Sequence, residues 1–162
     1  MAGTKIKKLM TIDPGLSGTG YSVWHNDTLI LCRQIIPENN LTMEDKAKVI
    51  KKMLIEAINY RRIDHVAIEY PKVFGGATNM AIAMRGDIVK LAWFVGYICG
   101  AIVTNRCVTY ELVPVNTWKG QLPKSVIENR VRKIFPDPEN KLSIKGHAID
   151  AVGIGLFLKG KM

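Results

Sequence analysis

An apolar run that ends on an acid and passes directly into Pro-Gly constrains this chain more than any other stretch: TIDPGLSGTGYSV, residues 11–23. Residues 6–13 read as a strand, with LMTI suited to the centre of a sheet. Residues 14–20 then have to turn tightly. Pro14 restricts φ, and Gly15, Gly18 and Gly20 are expected to supply positive φ values. The chain returns through GYSVWHNDTLILCRQII as two strands joined at Asn26-Asp27, so the first three strands predict an antiparallel meander. Asp13, at the tip of the first strand, is a turn-former, a phosphate-loop residue or a metal ligand, depending on where its partners lie.

From Thr42 the period changes. Val49, Met53, Ala57 and Tyr60 repeat at helical spacing, and Thr42 with Asp45 three residues on predicts a capped helix start. HVAIEY (65–70) returns to strand, and PKVFGGATN is a loop. Residues 80–103 form a long helix that is apolar on nearly all sides, and CVTYELV is a further strand. Pro123 suits the first turn of a helix that runs to about Phe135, where Pro136 stops it. A last helix follows Gly146. The order βββαβαβαα predicts one α/β domain over residues 1–162, a central mixed sheet covered by helices.

Hydrophobic residues make up 48% of the 162, enough for a packed core, and 23 basic against 14 acidic residues leave a net charge of +9. That excess favours a polyanion, either nucleic acid or an acidic membrane surface. The start MAGTKIKKLMTID lacks the apolar stretch of a signal peptide. The longest apolar run, 88–103, is interrupted by Lys90 and is short for a bilayer span, so it reads as a buried helix. Cys32, Cys99 and Cys107 form no CxxC pair, which argues against a disulfide framework or a zinc site and fits a reducing cytoplasm.

Asp13 ends the first strand and Glu69 the fourth, so neighbouring strands would project two carboxylates from one sheet edge. Asp150, on the last helix, is the third candidate. His147 lies three residues before it, roughly 60° around the helix, so both can face one site. Oxygen ligands from separate elements are what Mg²⁺ or Mn²⁺ prefers, and a pair of such ions can activate water in phosphodiester hydrolysis. Taken singly, each residue has a plainer reading: a turn aspartate, a paired acid, a helix-start histidine. Three acids at the ends of three elements favour a site.

IDPGLSGTGYSV, VAIEYPKVF and GHAIDAVGIG, in that order and at these separations, resemble the RuvC-type Holliday junction resolvases, nucleases of the ribonuclease-H-like superfold. VPVNTWKGQLPK is similar to the RuvC-like resolvases of bacteriophages. The resemblance runs from about Ile6 to Lys159. It implies a five-stranded mixed sheet and a homodimer that nicks two opposed strands of a four-way DNA junction, leaving 5′-phosphate and 3′-hydroxyl ends. It also implies Mg²⁺ dependence, with two ions per active site and Mn²⁺ able to substitute, and no nucleotide cofactor. Asp13 would ligate both metals, Glu69 one, and Asp150 would complete the set. His147 falls where many relatives carry aspartate and some histidine, and the resemblance leaves it either a metal ligand or a group that positions water. As a ligand it must be neutral, so activity should fall as pH drops toward its pKa.

Basic residues concentrate after Lys119: Lys124, Arg130, Arg132, Lys133, Lys141 and Lys145. They are a solvated helix face or phosphate contacts. Lys119 and Lys124 are expected nearest the scissile group, and Lys119 joins the catalytic set. Trp118 reads as core or a loop anchor. Phe74, after Lys72 and beside Gly75-Gly76, matches the segment that in RuvC-type enzymes wedges into the junction centre. Arg85 and Lys90 on the long helix are further DNA contacts. Gly96 and Gly100, four apart, permit close approach of a second copy. A C₂ dimer would match the two-fold symmetry of the junction.

Rival readings stay open. IDPGLSGTG also resembles the phosphate-binding turn of actin-like ATPases and sugar kinases, although no Gly-Lys-Ser/Thr follows and such enzymes need two such domains. The others are a non-catalytic DNA-binding module and a debranching nuclease acting on forks and flaps.

Overall fold

The computed structural model describes residues 7–71, 86–105, 108–136 and 144–162. Five strands, β1 (Lys8–Asp13), β2 (Thr19–His25), β3 (Thr28–Ile35), β4 (His65–Tyr70) and β5 (Thr109–Pro114), form one sheet in the order β3-β2-β1-β4-β5. The predicted meander is present: β1–β2 and β2–β3 are antiparallel, and Asn26 turns the second hairpin with φ +52°. β1–β4 and β4–β5 are parallel, so the sheet is mixed. Parallel neighbours need long crossovers, which here are helices.

Helices α1 (Met43–Arg61) and α2 (Asp87–Val103) bury one face of the sheet, with Met10, Ile12, Val66 and Ile68 below them. Helices α3 (Val115–Trp118), α4 (Lys124–Ile134) and α5 (His147–Leu158) bury the other, over Leu9, Ala67 and Val113. The short α3 has no counterpart in the sequence reading.

Thr42 caps α1 as its spacing predicts, accepting from the Asp45 amide at 3.2 Å and donating its hydroxyl to the Asp45 carboxylate at 2.9 Å. The core-facing stripe of α1 differs from the expected one. Ala47, Ile50, Leu54 and Ile58 are buried, while Val49, Met53 and Tyr60 are exposed. Both sets repeat at helical spacing. Periodicity does not separate the two; the stripe of Ala47, Ile50, Leu54 and Ile58 is the one that meets the sheet core.

The reading of α2 as a buried helix holds for one side, where Phe94, Val95, Ile98 and Ile102 enter the core. The opposite side, with Val89, Trp93, Gly96, Gly100 and Val103, faces solvent. Among the described residues no helix is long and apolar enough to cross a membrane.

The register of the sheet positions the acids. Ile12 pairs with Ile68 across the parallel β1–β4 ladder, and Asp13 and Glu69 each follow by one residue. Side chains alternate along a strand, so the two acids share the face that carries α3–α5.

Candidate active site

The β1–β2 turn works differently from the expectation. Gly15, Gly18 and Gly20 do not take positive φ; their service is close approach. A Cβ on Gly20 would overlap the His147 carbonyl, and one on Gly18 would meet the Gln34 amide and the His147 ring. The glycines let the start of α5 sit on the backbone of β2. A chain of hydrogen bonds fixes that contact: Trp24 Nε1 donates to Ser22 at 2.7 Å, Ser22 bonds Thr11 at 2.5 Å, and Thr11 donates to the Ala151 carbonyl at 2.5 Å. Every member is buried, where paired polar groups hold one arrangement tightly. Asp150 and Asp13 therefore come together because Ala151 is tied to Thr11.

Among the described residues, Asp13 and Asp150 are the buried acids, at 7% and 6% exposure. Glu69 is half-buried beside them. Desolvation is the main force on Glu69, and the Asp13 charge adds to it. Together they push its pKa from 4.5 to about 7, against a hydrogen bond from Trp118. Asp13 is also raised, chiefly by burial, although His147 opposes this through a 2.7 Å contact between Nδ1 and Oδ2. The same contact raises the pKa of His147. Burial costs Asp13 more than the histidine returns, so both groups bind a proton more readily than they would in water. Protonated His147 cannot ligate a metal, and the pH below which it would fail is shifted upward from the ordinary imidazole range.

Lys119 and Lys124 complete the cluster. Lys119 Nζ stands 3.1 Å from Asp150 Oδ1, and Lys124 Nζ 3.6 Å from Oδ2. Asp150 is thereby shared between one half-buried cation and one exposed cation. Trp118, read from sequence as core or anchor, does more: its indole Nε1 donates to Glu69 Oε2 at 2.9 Å. Its position one residue before Lys119 was the only sequence signal for this role.

The remaining expected residues are dispersed. Arg130 lies on the exposed face of α4, and Arg132 pairs with Glu128 at 2.8 Å instead of standing free. Lys90 pairs with Asp87 at 3.7 Å at the start of α2. Lys72, Phe74, Arg85, Lys141 and Cys107 lie outside the described residues.

Three carboxylates and a histidine from β1, β4 and α5 are a donor set suited to a hard divalent cation. Among the described residues no three such groups form a ready-made metal cage, because each is engaged by a protein partner. The chemistry still fits. Lys119 and Lys124 supply positive charge beside Asp150 where a cation would otherwise stand, and Glu69 keeps a raised pKa although Lys119 lowers it.

No family model matches the chain, and no curated protein matches its sequence. Solved structures do. The chain is similar to RuvC of T. thermophilus in complex with a Holliday junction substrate, with TM-score 0.71 and 18% identity over 93% of this chain and 90% of that one. It is similar to a second structure of Thermus thermophilus RuvC, with TM-score 0.65 and 18% identity over 93% and 92%. Fowlpox virus resolvase with its substrate Holliday junction DNA follows, with TM-score 0.51 and 13% identity over 96% and 99%. At such identities the likeness is one of fold. The fold is ribonuclease-H-like: a mixed five-stranded sheet flanked by helices.

Proposed function

We propose that this chain is a metal-dependent endodeoxyribonuclease that resolves four-way DNA junctions, of the bacteriophage RuvC-like branch. One observation carries the reading: the buried acids Asp13 and Asp150 meet Glu69 at one sheet edge, under Lys119 and Lys124, in a basic chain. Burying acids together costs stability, and a cluster kept at that cost in a cleft marks a functional site. The similarity to RuvC and to the poxvirus resolvase, both solved with Holliday junction DNA, supports the substrate.

Asp13, Glu69, Asp150 and His147 would hold the divalent ions, Mg²⁺ or Mn²⁺, two per site. Bound there, such ions lower the pKa of water and stabilise negative charge on phosphate oxygens. The protein's own groups do the rest. Trp118 holds the Glu69 carboxylate in one orientation. Lys119 and Lys124 offset the site's negative charge in the free protein and turn to the incoming phosphate once DNA arrives. His147 gives up its proton before it ligates. Hydrolysis would leave a 5′-phosphate and a 3′-hydroxyl.

Arg130 and Lys90 extend the phosphate track, and the sequence adds Lys72, Arg85 and the wedge Phe74. Two copies joined through the exposed side of α2, where Trp93 and Val89 flank Gly96, would present paired sites to a two-fold junction. The setting would be a DNA-bearing cytoplasm, the host's for a phage protein.

The test is cleavage of synthetic four-way junctions, forks and plain duplex with Mg²⁺, comparing wild type with Asp13→Asn. Symmetric paired nicks on junctions that Asp13→Asn abolishes are expected. Equal rates on forks would move the reading to a debranching nuclease, and no cleavage of any branched DNA would overturn it.

A further inference from the structure

A groove of about 450 Å³ opens between the β1–β2 turn and the first turns of α1 and α2. Its wall begins at Pro14, the residue after Asp13, so the groove adjoins the carboxylate cluster. Leu16, Met43 and Leu91 make it apolar, and Leu16 and Leu91 are anchored against the core beneath. Lys46 of α1 and Lys90 of α2 stand on its sides, with Asp87 at the start of α2. The Lys90–Asp87 pair spans 3.7 Å with both side chains more than half exposed, a surface contact that an incoming anion can displace.

We infer that this groove is a subsite for one unstacked nucleotide of the strand being cut, its base against Leu16, Met43 and Leu91 and its phosphate between Lys46 and Lys90. The inference deepens the nuclease reading and rests on it for the identity of the strand. Three features support a nucleotide. The volume lies in the range of roughly 300–1,000 Å³ typical of small-ligand sites. An apolar aliphatic floor with two ammonium groups at its edge can take the flat face of a base and the charge of its phosphate. The groove is walled by the turn that follows directly from Asp13, so the backbone bearing the first acid is shared between groove and site. Asp87 adds an acceptor for an exocyclic amine, which favours cytosine or adenine over thymine at that nucleotide.

The experiment measures binding of a fluorescent four-way junction in EDTA, so that affinity is read without cleavage, and cleavage with Mg²⁺ separately. Ser17→Trp, at an exposed position on the groove wall, fills the groove. Lys46→Gln removes one cation. Each is expected to weaken junction binding by about five- to tenfold. A scan of abasic nucleotides flanking the cut should find one position with a similar loss in wild type and no further loss in Ser17→Trp. Should Ser17→Trp fail to fold, Lys46→Gln with the abasic scan carries the same test.

Wild-type cleavage with unchanged affinity in both variants, or a flat abasic scan, overturns the subsite and leaves the nuclease reading intact. Binding that depends on the groove without cleavage of any DNA does the reverse. A shift from dimer to monomer in Ser17→Trp at unchanged DNA affinity would make the groove a seam between copies and also overturn the nucleotide assignment.

Discussion

Replacing Glu69 by Gln should stabilise the metal-free protein while destroying its activity. The glutamine keeps an oxygen to accept from Trp118 Nε1, so the contact at 2.9 Å survives, and only the charge is lost. Glu69 is raised from 4.5 to about 7, first by burial and then by Asp13. The folded state therefore holds the proton more tightly than the unfolded chain. The stability of the wild type falls as pH rises from about 4.5 to about 7, and beyond that the penalty is constant. Each pKa unit is worth about 1.4 kcal/mol, so the ionised carboxylate costs on the order of 3 kcal/mol at pH 8. Partial exposure of Glu69 reduces this to roughly 1–3 kcal/mol, or about 3–10 °C in Tm for a chain of this size. At pH 5 the gap should shrink below about 1 kcal/mol.

Urea unfolding of both proteins in EDTA at pH 5 and pH 8 measures the difference directly. Added Mg²⁺ should then raise the midpoint of the wild type more than that of the variant, since the ion relieves the same repulsion. A variant less stable than wild type at pH 8, or a gap independent of pH, would refute the view of Glu69 as a strained, functionally retained charge.

Two further outcomes follow from the same geometry. Gly20→Ala forces a Cβ into the His147 carbonyl and should destabilise the fold by more than about 2 kcal/mol in urea, with activity falling further as α5 is displaced from β1. A urea midpoint equal to wild type would show that the close approach of β2 and α5 is not required. Trp118→Phe removes the hydrogen bond to Glu69 and keeps most of the ring; Mg²⁺ affinity by calorimetry should weaken about tenfold, while stability changes by no more than about 1.5 kcal/mol. Unchanged Mg²⁺ affinity would reduce Trp118 to a packing residue.

Much of this molecule was legible in its residues before any coordinates. Strand, turn and helix periods, the Thr42 cap, the Asn26 turn and the placement of Asp13 and Glu69 at strand ends follow from local rules, which act over a few residues along the chain. An acid that closes an apolar strand advertises itself, because burial there is costly without a purpose. What the tertiary structure alone decided depends on contacts between distant segments. The choice between two equally periodic stripes on α1 was made by the sheet beneath it. Gly18 and Gly20 read locally as turn-formers, yet they are small because α5, more than a hundred residues later, rests on them, while Gly15 is small because the Gly18 carbonyl of its own turn lies against it. Trp118 reveals its work only when α3 brings its indole to Glu69. Local patterning specifies which segments bury a face; which side chains meet at the edge is set by packing and register, and those exist only in the folded chain.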